Sequence, residues 1–335
     1  AHLLRRTLIG PKPTEISEAM NSTPEAVVDR LLEMPFLPPF GPDNWVNNDP
    51  FVRPDKAQRK IERAQVDQTR AWWMELIVNQ EYSIQERMVL FWHDHFATQA
   101  KDVKRPQLVY LQNFLLRKYA VGNFKTLVEE ITRDPAMINY LDNNTNKVGK
   151  PNENYARELM ELFTLGEGNY TEHDVGESAR ALTGWVVEAK KPVFKTSRHD
   201  KAQKTFLGQT GNFDEQNIID IIFQQPAAAE FIVGKLYKEF VYEHPDETVV
   251  AELAQILRDN NFEIKPVLKA LLLSAHFYDP AIIGAKIKTP IELVAGTARS
   301  LGFKAGDGKS ISAEYLVRIA DVLGQKLLDP PNVAG

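Results

Sequence analysis

Three short stretches concentrate the side chains that could do chemistry. The first is PNENYARELMELFTLG at 151–166, which sets Glu153, Glu158 and Glu161 beside Arg157, Asn152 and Asn154. Polar groups at that density next to a core-facing surface are costly to bury without partners. On a helical wheel Tyr155, Leu159, Leu162 and Phe163 form an apolar stripe. Glu158 lies on its flank, and Asn154, Glu158 and Glu161 share one ridge at i, i+4, i+7. The second stretch is FWHDHF at 91–96. A helix begun near Ile84 puts His95 on the inward face with Met88, Phe91 and Trp92, and turns His93 towards solvent. The third is Arg198-His199-Asp200, a His–Asp pair in a turn-like segment.

If these stretches converge, His95, Glu158 and Glu161 could hold a divalent metal ion or act as acid and base. His199 and Asp200 would complete a catalytic set, and Asn154 and Arg157 would orient substrate. The structural alternative is plainer. Arg157 pairs with Glu153 or Glu161, His95 is satisfied by a carbonyl or carboxylate, and the His–Asp pair stays on the surface. A separate calcium reading rests on Asp142, Asn144, Asn146 and Glu153, which fall at positions 1, 3, 5 and 12 of an EF-hand-type loop. Lys147 stands where that loop needs glycine, so the competing reading is an asparagine-rich turn capping backbone groups. No G-x-S-x-G, H-E-x-x-H or P-loop occurs, which leaves serine hydrolase, zincin and nucleotide-binding readings unsupported.

The elements that must position these residues are read mostly at helical period. Helices are predicted over 24–34, 57–80, 107–119, 124–133 and 152–165, with another from about Ile84 under a Ser83–Glu86 capping box. Thr171 with Asp174 caps a helix running towards Gly184. Later helices span 214–223, 227–242, 248–260, 265–274, 290–301 and 312–323, with Pro226, Pro266 and Pro290 at or near starts. The exception is 185–208, whose β-prone Val186-Val187, Val193-Phe194 and Thr205-Phe206 predict an inserted β-hairpin. Residues 35–55, with six prolines, read as a long irregular loop and not a boundary. The expectation is a mainly α protein, one large helical domain over 1–335 carrying a small β insertion.

Composition bounds the rest. The 335 residues are 43% hydrophobic and 25% charged, values of a globular chain. A formal net charge of −5 argues against a general nucleic-acid binder. The absence of cysteine excludes disulfides and thiolate metal sites. No apolar run approaches the ~18 residues of a membrane span. The insertion itself is basic, with Lys190, Lys191, Lys195, Arg198, Lys201 and Lys204 against Glu188 and Asp200, as an arm for an acidic glycan would be.

Taken together, HLLRRTLIGP, FWHDHFAT, PNENYARELMELFTLG, YTEHDVGESARALTGW, RHDKAQKTFLG and IKTPIELV occur in an order that resembles the large bacterial family called domain of unknown function 1800. The resemblance maps that family's motifs onto His95, Asn152, Asn154, Arg157, Glu158, Glu161, Thr183, Gly184, Trp185, His199 and Asp200. Phe163 stands where some relatives carry His, so no role is carried over to it. The resemblance implies an exported protein, periplasmic or extracellular, often with a twin-arginine-type signal. It also implies a gene neighbour resembling sulfatases and alkaline phosphatases, and a chain that continues past 330–335. Two functions are therefore expected to compete. One is a metal-dependent or acid/base hydrolase of an extracellular polymer. The other is a non-catalytic scaffold or acidic-glycan-binding partner of the phosphatase- or sulfatase-like neighbour.

Overall fold

The computed structural model describes residues 1–33, 38–306 and 308–335. The last residue of the 24–34 helix and the start of the proline-rich loop lie outside the described residues. Helices dominate, as the periodicity predicts, and one hydrophobic core runs from Leu3 to Leu328. The longest is a 24-residue helix over Lys56–Asn79, opened by a capping box between Asp55 and Gln58. It packs against Pro106–Lys118 and against the late helices Pro290–Ser300 and Ala313–Val322. The helices Pro226–Phe240, Glu247–Asp259 and Ile264–Leu273 stack in sequence, and the last of them reaches Pro24–Leu32. Proline takes the first turn of Pro226–Phe240 and Pro290–Ser300, where its missing N–H costs nothing. No helix among the described residues is long and apolar enough to cross a membrane.

The β insertion is divided differently from the expectation. Trp185–Glu188 pairs with Lys191–Phe194 in one antiparallel hairpin, and Lys204–Phe206 pairs with Gln209–Gly211 in a second. The strand at 204–206 thus finds its partner after it, beyond the predicted end at 208. The segment between the hairpins is fastened to the helical body, His199 to the Thr183 carbonyl and Asp200 to Arg180.

Two further differences concern the helix Gln85–His95. Its start is where predicted, but Glu86 does not close a capping box. The Glu86 carboxylate instead accepts from buried Arg117 and from Trp73 Nε1 at 3.2 Å. His93 is also not solvent-facing. It is buried, with its ring edge-on to Trp73 at 5.2 Å between centroids. The wheel identified one apolar face, but this helix is covered on both sides, and a wheel cannot see the second cover.

The chain start is fastened by the late helix Pro290–Ser300. Gly10 has φ +73°, and a Cβ there would lie 2.3 Å from the Gly296 Cα, so the two backbones meet this closely only with glycine at 10. Beside them Arg299 is fully buried. Its guanidinium donates to the carbonyls of Gly10 at 3.0 Å, Val78 at 3.1 Å and Gln80 at 2.7 Å, and to Glu15 at 3.0 Å. One side chain thereby satisfies the end of the long helix and ties it to the N-terminal segment. Arg299→Leu strands Glu15 and these carbonyls, so urea unfolding should show a loss of about 3–5 kcal/mol. A loss under about 1 kcal/mol would show that the joint is not holding these elements.

Candidate functional site

The predicted helix at 152–165 begins at Asn154 and is regular only to Glu158. Over Leu159–Thr164 it widens into a π turn, in which the Leu165 N–H reaches the Met160 carbonyl at 2.7 Å. Such turns leave terminal carbonyls to be satisfied from elsewhere. Lys235 Nζ donates to the Leu162 carbonyl at 3.2 Å and His95 Nε2 to that of Phe163 at 3.0 Å. Gly166, at φ +77°, ends the turn where a Cβ would lie 2.9 Å from the Phe231 ring. Because a carbonyl can only accept, His95 Nε2 carries the proton. The ring stands among Phe91, Trp92, Phe96, Phe124, Phe163 and Phe231, and its Nδ1 has no hydrogen-bond partner among the described residues. Burial, and then the Lys235 charge, hold its pKa well below the ordinary histidine value. His95 is therefore a neutral donor closing a helix end, the carbonyl-satisfied alternative of the sequence reading.

The polar ridge is dispersed. Bonding to i−5 shifts the register after Leu159, and Glu161 accepts from Tyr170 Oη at 2.7 Å. Arg157 does not pair with Glu161. It makes two 2.7 Å bonds to Glu172 of the next helix, Glu172–Ala181, and lies 3.6 Å from Glu153. Asn154 donates to the Leu141 carbonyl at 3.3 Å. Glu158 is half-buried, and burial, with the neighbouring Glu161 charge, raises its carboxyl pKa against the pull of Arg157.

Nor does the calcium geometry form. Asn146 is fully buried, and both ends of its amide are used inside the protein. Nδ2 donates to Asn143 Oδ1 at 3.1 Å and the Ala179 carbonyl at 2.8 Å, while Oδ1 accepts the Asn152 N–H at 2.9 Å. Asn144 donates to Asn139, and Asp142 and Glu153 are exposed. Among the described residues no three His, Asp or Glu side chains gather to hold a metal ion, so His95, Glu158 and Glu161 do not form the expected ligand set.

The third stretch is a joint between the β insertion and the body. His199 Nδ1 donates to the Thr183 carbonyl at 3.0 Å. Asp200 pairs with Arg180 at 2.8 Å, and that guanidinium holds its carboxyl below the usual aspartate range. The basic arm is less free than its composition implied. Lys204 is buried and donates to the carbonyls of Asp200 and Ala202, Lys190 donates to that of Asn47, and Lys195 pairs with Glu188.

What the structure does bring together is the asparagine loop, the start of the acidic motif and Arg198. The Arg198 guanidinium donates to the Asn144 carbonyl at 2.7 Å, and its backbone carbonyl accepts the Val148 N–H at 2.7 Å. A cleft of about 670 Å³ results, lined by Lys147, Lys150 and Arg198, the polar Asn144, Thr145 and Asn152, and one carboxylate, Glu153. Sequence reasoning missed Lys147 and Lys150. The available signal was their place on either side of Gly149 in a tight turn, with Lys147 and Lys150 bridged across it.

With this geometry in view, the family can be stated. The chain matches, over residues 2–335, the family described as "Protein of unknown function (DUF1800)", and it belongs to that family. No curated protein and no solved structure matches it.

Two measurements follow from these placements. Asn146→Leu removes partners from the Ala179 carbonyl and the Asn152 N–H, so stability should fall by about 2–4 kcal/mol. Hydrogen exchange should quicken first in 142–154, and unchanged exchange there would refute the amide's role. Burial also pushes the His93 pKa down to about 4. Its unfolded form takes up a proton near pH 6.5 while the native form does not, so stability falls as pH drops from 6.5 towards 4. His93→Phe should reduce that acid loss by on the order of 3 kcal/mol, read from denaturation at several pH values.

Proposed function

We propose that the protein is a binding module for an acid-bearing polymer, such as a carboxylated or sulfated polysaccharide, held in the cleft between the asparagine loop and the β insertion. The observation that carries this reading is the lining of that cleft, three cations against one carboxylate, with amide and hydroxyl groups between them. Lysine and arginine there match acid groups, and asparagine and threonine match sugar hydroxyls. The overall charge of −5 makes this a local feature and not a general basicity. An exported location, implied by the family resemblance, would put such polymers within reach. The phosphatase- or sulfatase-like neighbour would then be a protein working on the same polymer.

The hydrolase reading has less support, because Glu161, His199, Asp200 and Arg157 are each engaged by a neighbouring side chain or carbonyl. Retention on immobilised alginate and on heparin tests the binding reading. Wild-type protein should be retained at low salt and released as salt rises, since the contacts are screened. The double variant Lys147→Glu/Lys150→Glu should lose retention. Lys195→Glu, altering a lysine already paired with Glu188, should change it little. A folded double variant that elutes with wild type would eliminate the cleft as the binding site.

A further inference from the structure

A second cavity, of about 770 Å³, lies elsewhere, between the helix Lys56–Asn79, the turn at 104–106 and the segment around Lys326–Asp329. Arg59, Glu62, Arg63, Val66 and Arg70 of that helix all line it, and their spacing puts them on one helical face. Arg70 is already neutralised by Asp67 and Asp329, each at 2.5 Å. Arg63, Lys101, Lys104 and Arg105 have no ion-pair partner among the described residues, so the cavity keeps a surplus of positive charge. At its wall Glu62 is only 7% exposed, and its Oε1 has no hydrogen-bond partner among the described residues. A buried acceptor left open in this way is rare and costs on the order of 1–3 kcal/mol.

We infer that this cavity is a binding site for a small sugar ester carrying a phosphate or sulfate group, with the oxyanion on the arginine and lysine side and a sugar hydroxyl donated to Glu62. A bare oxyanion would leave Glu62 unsatisfied and face its carboxyl. A ligand with an ammonium would meet the cationic surplus. A hydroxyl donates without adding charge, and an ester of a sugar presents hydroxyl and oxyanion on one rigid frame. The volume suits a ligand of that size. Burial raises the Glu62 carboxyl pKa, with Arg105 and Arg59 drawing it back, which also favours a neutral donor over a second anion.

Isothermal titration with glucose 6-phosphate, glucose 6-sulfate, inorganic phosphate, glucose and phosphoethanolamine tests this. At least one sugar ester should bind about tenfold or more tighter than inorganic phosphate or glucose, the worth of one buried hydrogen bond. Which ester binds tighter identifies the oxyanion. Glu62→Ala should bring the ester down to the level of inorganic phosphate, whereas Glu62→Gln, which keeps an acceptor oxygen, should retain most of the preference. Arg105→Ala should weaken ester and phosphate alike. The Lys147→Glu/Lys150→Glu protein should bind the ester normally, separating this site from the polymer cleft. The inference is overturned if no ester exceeds phosphate, if phosphoethanolamine binds tightest, or if folded Glu62→Ala keeps the preference.

Discussion

The amide of Asn146 fixes the geometry on which the candidate cleft depends. It has no exposure, so each of its polar atoms needs a partner within the protein. Its side chain joins the asparagine loop to the end of the Glu172–Ala181 helix and to the start of the acidic motif. Its own carbonyl accepts the Gly184 N–H at 3.3 Å, where the β insertion begins. Two stretches some thirty residues apart, 143–152 and 179–184, thus meet at one residue, and the exposed lysines of the loop project from that joint.

Backbone satisfaction explains why chemistry-like motifs turned into structure. A π turn gains width but leaves carbonyls open at its end, and here the imidazole of His95 and the ammonium of Lys235 close them. The same logic holds for Arg299, which serves three carbonyls, and for His199, which serves one. These are residue types that would be read as catalytic wherever they cluster. In a helical protein with many short elements, helix ends are numerous, and each end leaves unpaired groups. Long cationic and imidazole side chains are well suited to reach them.

Charge distribution then separates binding surfaces from framework. The chain is acidic overall, yet both clefts carry a surplus of cations. Most other basic side chains noted in the insertion are consumed by internal contacts, so local surplus and not composition marks where an anion could rest. Among the described residues, burial raises the carboxyls of Glu62, Asp94 and Glu158 with no hydrogen bond to draw them back. Of these, Glu62 lines the cavity of about 770 Å³.

The sequence by itself determined the helices, because their apolar period, capping residues and prolines act over a few residues. The Thr171–Asp174 capping box forms as read, and starts near 85, 226 and 290 fall within a residue or two. Family membership was also legible, since long ordered motifs survive without any knowledge of contacts. The tertiary structure alone decided which polar group meets which. A wheel assigns His93 to a face but cannot show that Trp73 covers it, and it offers Arg157 two helical partners when Glu172 lies closer. On the long charged helix, Glu62 looks like any solvated carboxylate until the turn at 104–106 joins it in lining one cavity. Period is a property of neighbours in the chain, whereas partnership is set by elements that arrive from tens to hundreds of residues away.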